Sequence, residues 1–170
     1  MSGLPDSPAA ALNADDLNWL RQAIALSAQA RAEGNHPFGA LVVSAEGRVV
    51  ARAGNHSRPP EGDPTGHAEL SAVAQAARAL PPSELRGCTL YTSAEPCAMC
   101  AGAAYWCGVG RVVYALSEAR LLTLTGNHPE NPTLALPCRA VFASGQRPTE
   151  VLGPALEDEA AQAHADFWSP

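Results

Sequence analysis

Residues 88–116 read CTLYTSAEPCAMCAGAAYWCGVGRVVYAL, and the alternation inside this stretch decides what fold the chain can take. CTLYTS is short and rich in β-branched and aromatic residues, as a strand requires. EPCAMCAGAAYWCG is alanine-rich with a proline at its mouth, which suits a helix opening at Pro96 or Cys97. RVVYAL returns to a strand pattern. Strand, helix and strand in this order predict a parallel crossover.

Working outward, residues 13–34 predict a helix. Asn13 suits its N-cap, Asp15 and Asp16 suit its positive end, and Gly34 suits its stop. Leu17, Leu20, Ile24 and Ala28 recur at helical spacing and predict the buried stripe. Residues 40–44 and 49–53 predict a hairpin joined by a Glu-Gly turn. HSRPPEGDPTG reads as a loop, and HAELSAVAQAARAL as a helix that Pro81-Pro82 stops. Beyond residue 116 the pattern predicts a short helix and a long loop, then a short strand near Val151 and a closing helix over EDEAAQAHADFW. No internal repeat appears. The expectation is one α/β unit with helices on both faces of a central sheet, residues 13–170, preceded by a flexible arm at residues 1–12.

At 170 residues and 46% hydrophobic content the chain is long enough to bury one core. A formal net charge of −6 with only 11 Lys+Arg argues against a broad electrostatic grip on nucleic acid or an anionic membrane. A small uncharged ligand suits it better, and Arg48, Arg52, Arg58, Arg111 and Arg120 read as solvated surface arginines. No basic leader precedes an apolar run, and eighteen apolar residues never run together. The chain is therefore expected to be soluble and cytoplasmic, without a membrane partner. Of five cysteines, Cys97 and Cys100 form the only close-set pair. Cys88, Cys107 and Cys138 read as scattered small hydrophobes, which is not a disulfide framework.

The chemistry lies in two clusters. In GHAELSAV, residues 66–73, His67 and Glu69 stand two apart at the mouth of a predicted helix. Their side chains can face one cavity there while taking different roles. Alone, the pair is better read as a capping histidine and a first-turn acid. In PCAMC, residues 96–100, two thiols lie on one side of a helix start, where free N–H groups and the positive dipole end favour thiolate. One His and two Cys make three zinc ligands with a fourth position open, as in catalytic rather than structural sites. Cys88, Cys107 and Cys138 are poorly placed to close it. A nearby glutamate outside the ligand set is what proton transfer from an activated water requires. A thioredoxin-like redox motif is the rival reading for Cys97 and Cys100 alone. The His67/Glu69 pair and Pro96 favour zinc.

HAE followed by PCAMC matches the signature H-x-E…P-C-x-x-C, and with it the sequence resembles the cytidine-deaminase-like superfamily of zinc deaminases. HPFGALVV, DPTGHAEL, LYTSAEPCAMCAGAAYW and RVVYA resemble its guanine deaminase and tRNA adenosine deaminase branch, and the PFGA and AYW wording is nearer to guanine deaminases. The resemblance implies a three-layer α/β/α sandwich around a mixed five-stranded sheet. It implies one zinc ion per subunit on His67, Cys97 and Cys100, with Glu69 as the catalytic proton shuttle and no organic cofactor. It places Asn55, Phe38 and Ala68 at the base, although Asn55 also suits a turn and Phe38 plain core packing. Trp106 is a further candidate for the pocket wall or for packing under the metal helix. The tail aromatics Phe167 and Trp168 are expected either to reach a partner subunit's site or to pack on their own domain.

The implied activity is hydrolytic deamination of a small aminated base or nucleoside, guanine first, by a homodimer. After residue 121 the likeness to guanine deaminases fades, because their acidic stretch after this strand is replaced by TLTGNHPENPTLALPC. Glu118 or Glu130 could supply the missing acidic contact, or be solvated loop glutamates. A tRNA adenosine deaminase is the alternative, disfavoured by acidity. A non-catalytic zinc-stabilised interaction domain is the alternative from another class, and it leaves Glu69 without a role.

Overall fold

The computed structural model describes residues 11–169, so the expected arm at 1–12 falls almost wholly outside the described residues. The chain forms α1 (Ala14–Ala32), β1 (Gly39–Val43), β2 (Val49–Gly54), α2 (Ala68–Ala79), α3 (Pro82–Leu85) and β3 (Thr89–Ala94). There follow α4 (Ala98–Cys107), β4 (Arg111–Leu116), α5 (Glu118–Thr125), α6 (Cys138–Ala143), β5 (Glu150–Leu152) and α7 (Glu157–Ala161), and a 3-10 turn at Gln162–His164. The sheet order is β2-β1-β3-β4-β5. β1 pairs antiparallel with β2 and β3, whereas β3, β4 and β5 run parallel. The expected crossover is thus β3-α4-β4.

Strand periodicity sorts the core into two layers. Ala40, Val42, Leu90, Val112 and Tyr114 pack with residues of α2, α4 and α6. Their alternates Leu41, Val43, Tyr91, Val113 and Ala115 pack with residues of α1 and α7. Strands covered on both faces read as near-continuous apolar runs, which is why GALVV and RVVYAL carry no polar alternation. This is the three-layer α/β/α sandwich with a mixed five-stranded sheet.

Helix α1 begins with a capping box, Asn13 Oδ1 accepting from Asp16 N and Asp16 Oδ2 from Asn13 N. Its buried residues are Asp16, Leu20, Ala23, Ser27 and Ala30. Leu17 and Ile24 are only half-buried and Ala28 is exposed, so the predicted stripe is rotated. The reason is a close approach to β1: a Cβ on Gly39 would sit 2.5 Å from Ser27 N and 2.6 Å from Ala23 O. Only small side chains fit beneath a helix lying that near the sheet. In the segment after β4, a second helix, α6, follows the loop at 126–137. The closing helix is shorter than predicted, tightening into the 3-10 turn before Asp166 takes a left-handed φ of 58°.

Asp16 does more than suit a helix dipole. It is 1% exposed and accepts from Arg111 Nη1 at 2.6 Å, Arg111 Nη2 at 2.9 Å and Tyr91 Oη at 2.8 Å. Arg111, expected on the surface, also reaches Glu150 Oε2 at 2.7 Å. One half-buried guanidinium therefore ties α1 to β3, β4 and β5. The Arg111 hydrogen bonds hold the Asp16 carboxyl down at about 2, from an ordinary 3.8. A depressed carboxylate stabilises the fold fully above its unfolded pKa and loses that contribution as pH falls through its folded value. Asp16→Asn is expected to cost about 2–4 kcal/mol at pH 7 by urea denaturation, with the difference from wild type shrinking between about pH 4 and pH 2.

Candidate metal centre and active site

His67 is the N-cap of α2 and Cys97 the N-cap of α4, both in extended conformation. The two helices lie on the same face of the sheet, and their starts meet. His67 Nδ1 stands 3.7 Å from Cys97 Sγ and 3.5 Å from Cys100 Sγ. All three donor atoms lie within 4.8 Å of one another, and they are the only such group among the described residues. Zinc with ordinary Zn–N and Zn–S bonds spans a tetrahedral N···S edge of about 3.6 Å. The donors are therefore already at coordination spacing, and their soft N/S chemistry suits zinc. Cys88, Cys107 and Cys138 stay outside the group, as expected.

The hydrogen bond from Cys100, with His67 beside it, holds the Cys97 thiol down at about 4. The same hydrogen bond and burial push Cys100 up. Binding a divalent ion demands both sulfurs deprotonated, so uptake releases the Cys100 proton. Glu69 is 5% exposed on the first turn of α2, with Oε2 3.8 Å from Cys100 Sγ and Oε1 accepting from Thr92 Oγ1 at 3.2 Å. Burial pushes its carboxyl up, against the opposing pull of His67. A carboxyl beside the donor triad but outside it is placed to carry a proton rather than to bind.

Above the triad opens a cavity of about 480 Å³, the size of a small-ligand site. Phe38 and Asn55 line it. Asn55 is 3% exposed, and its Oδ1 accepts from Ser57 N at 2.9 Å and from Ser57 Oγ at 3.0 Å, which leaves the amide nitrogen as the group it offers. Glu118, half-buried at the start of α5, and Glu130, exposed on the 126–137 loop, both line the wall. Burial and the neighbouring Glu95 push the Glu118 carboxyl up to about 7.

Other expected base contacts fall elsewhere. Trp106 is 80% exposed on α4 and neither lines the cavity nor packs under the helix, because its position faces away from the sheet. Ala68 is fully buried in the apolar layer and outside the wall, since helical turn geometry sends its side chain inward while His67 and Glu69 face the cavity. Phe167 and Trp168 fold back on their own chain. Trp168 packs against His36, Phe38, His128 and His164, while Phe167 lies under the Arg31 and Arg58 guanidinium groups. They back the wall without forming it.

Among the wall residues that sequence reasoning missed, Glu95, His36 and Ser57 carry the hydrogen bonds that shape the site. Glu95 accepts from Glu118 N at 3.0 Å and Cys138 N at 3.1 Å, pinning the starts of α5 and α6 to the metal loop. His36 is 4% exposed, with Nε2 2.8 Å from Glu130 Oε2 and Nδ1 3.4 Å from Ser57 Oγ. Ser57 joins it to Asn55. The only local signal was the position of each beside a recognised motif residue.

A three-layer sandwich with a His-Cys-Cys donor set at two helix starts defines a zinc-binding deaminase domain. The family model for the cytidine and deoxycytidylate deaminase zinc-binding region matches residues 13–116, and the chain belongs to that family. It is 45% identical over 157 residues to a probable cytosine deaminase of Schizosaccharomyces pombe, covering 92% of this chain and 94% of the relative. It is 39% identical over 84 residues to a tRNA-specific adenosine deaminase of Agrobacterium fabrum, covering 49% of this chain and 54% of that one. A solved guanine deaminase from Nitrosomonas europaea superposes with a TM-score of 0.73 at 25% identity, over 97% of this chain and 93% of that one.

Cys97→Ala is expected to drop zinc from stoichiometric to trace by elemental analysis and to lower the melting temperature to that of chelator-treated wild type. Undiminished zinc would show the ligand set to be wrong.

Proposed function

We propose that this chain is a hydrolytic deaminase of a small aminated nucleobase, with cytosine the first candidate and guanine the second. The observation that carries the reading is Glu69, a buried carboxyl opening on the cavity beside a donor triad that it does not join. Zinc held by His67, Cys97 and Cys100 supplies, when bound, an activated water as nucleophile at neutral pH. Glu69 takes the proton from the attacking water and delivers it to a ring nitrogen, which makes the amidine carbon electrophilic. The carboxylate, free again, takes the remaining proton from the oxygen now bonded to that carbon and hands it to the amine; the C–N bond breaks as the carbonyl forms, and ammonia leaves. Asn55 offers its amide N–H groups to a carbonyl or ring nitrogen of the base, and Phe38 walls the ring.

Glu69, Glu95, Glu118 and Glu130 all line the cavity, so a phosphorylated substrate meets like charge there. That favours a free base or nucleoside. The near full-length match to the probable cytosine deaminase puts cytosine ahead of guanine. Similarity to tRNA-specific adenosine deaminases keeps a tRNA substrate as the second reading despite the chain's acidity.

Ammonia release measured across cytosine, guanine, adenine, their nucleosides and triazines is expected to single out one base. Filter binding of tRNA at varied salt is expected to show no specific retention; tight, salt-dependent retention would favour the second reading. Glu69→Ala is expected to keep stoichiometric zinc while turnover falls by roughly 10²–10⁴-fold, as loss of a general acid–base does. Full activity in that variant would remove Glu69 from the mechanism.

A further inference from the structure

The geometry points to His36 and Ser57 as positioning residues, which fix the Asn55 carboxamide through a hydrogen-bond relay that begins at Glu130 on the cavity loop. The inference rests on the proposed role of Asn55 at the base.

Ser57 N–H can only donate, so the Asn55 atom 2.9 Å away must be the amide oxygen. Ser57 Oγ donates to the same oxygen at 3.0 Å and therefore accepts, on its other side, from His36 Nδ1 at 3.4 Å, so the relay runs through a His36 ring protonated on both nitrogens and ion-paired with Glu130. The opposite ring nitrogen of His36 meets Glu130 Oε2 at 2.8 Å, and Arg58 Nε holds that oxygen from a second direction at 3.2 Å. Trp168 packs against the His36 imidazole with centroids 5.2 Å apart, and Phe167 meets it edge-on at 6.0 Å. The ring is thus held by packing as well as by hydrogen bonds. The loop at 126–137, which walls the cavity through Glu130, Asn131 and Thr133, is in this way coupled to the group that meets the base.

A carboxamide left to rotate presents either its oxygen or its amide N–H groups. Held as it is, Asn55 presents donors only. The Ser57 backbone N–H sets this orientation and the relay holds it firm, so together they favour a base that offers an acceptor at that point, a carbonyl oxygen or bare ring nitrogen, over one that offers an N–H. Its loss weakens recognition of the base without touching the metal ligands or Glu69.

The test uses full-length, zinc-loaded protein. His36→Phe keeps a ring against Trp168 and removes both nitrogens, Ser57→Ala removes the hydroxyl, and Ser57→Thr retains it. On whichever of cytosine or guanine releases ammonia, His36→Phe and Ser57→Ala are each expected to lower kcat/KM by about tenfold, mainly through KM, as loss of one hydrogen bond does. The double variant is expected to be no worse than the worse single one, and Ser57→Thr to recover most of the loss. Singles at wild-type kcat/KM, or a double whose losses multiply to about a hundredfold, would overturn the relay. Glu130→Gln reads the same coupling from the loop end should His36→Phe not fold. A second readout needs no turnover: the Asn55 side-chain amide proton resonances, assigned by their disappearance in Asn55→Asp, are expected to shift in His36→Phe. Unshifted resonances would overturn the relay even in an active deaminase. A shift in a protein that releases no ammonia would retain the relay and reject the base-deaminase reading.

Discussion

The convergence of two helix starts on one point is the constraint on which the rest of this structure depends. His67 caps α2 and Cys97 caps α4, and the helices can bring their first turns together only because both lie on one face of the sheet. Their facing surfaces are small: Ala72 and Ala76 on α2, Ala101 and Ala104 on α4, all fully buried. The abundance of alanine, read from sequence as helix propensity, serves close helix–helix approach as well. Gly108, at φ 86°, ends α4 and turns the chain directly into β4, so the metal helix is held at both ends by the sheet. A donor set at coordination spacing follows from backbone placement, before any ion contributes energy.

Around that point the cavity is assembled by carboxylates that hold backbone or ring nitrogens. Glu95 accepts from the first residues of α5 and α6, and Glu130 meets His36. These acids come from separate loops, so the wall exists only when the segments after β3 and β4 are docked. On the opposite face, Asp16 and Arg111 tie α1 to the sheet and leave the metal face to α2, α4 and α6. The two faces thus divide the work, one carrying a buried ion pair and the other the chemistry. No helix among the described residues is long and apolar enough to cross a membrane.

Much of this was legible locally. The strand–helix–strand alternation of residues 88–116, the hairpin before it and the His67, Cys97 and Cys100 spacing each depend on neighbours within one element. What escaped depended on contacts between distant segments. Asp16 and Arg111 are 95 positions apart, and nothing around either one distinguishes a buried pair from two surface charges. His36 meets a loop residue 94 positions away. The stripe on α1 was misjudged because a glycine in β1, not the helix's own periodicity, sets how near the helix lies. Trp106 was misjudged because an aromatic next to a metal motif looks functional, while its position on α4 points it to solvent.

The sequence by itself determined the elements up to β4, the zinc-deaminase family and the side chains of the metal centre, because periodicity, caps and motif spacing act over a few residues. Only the tertiary structure decided which carboxylates face the cavity, where the C-terminal aromatics pack and which way the Asn55 amide points. Those choices depend on which distant segments share a wall, and in a close-packed interior that is settled by the fold as a whole.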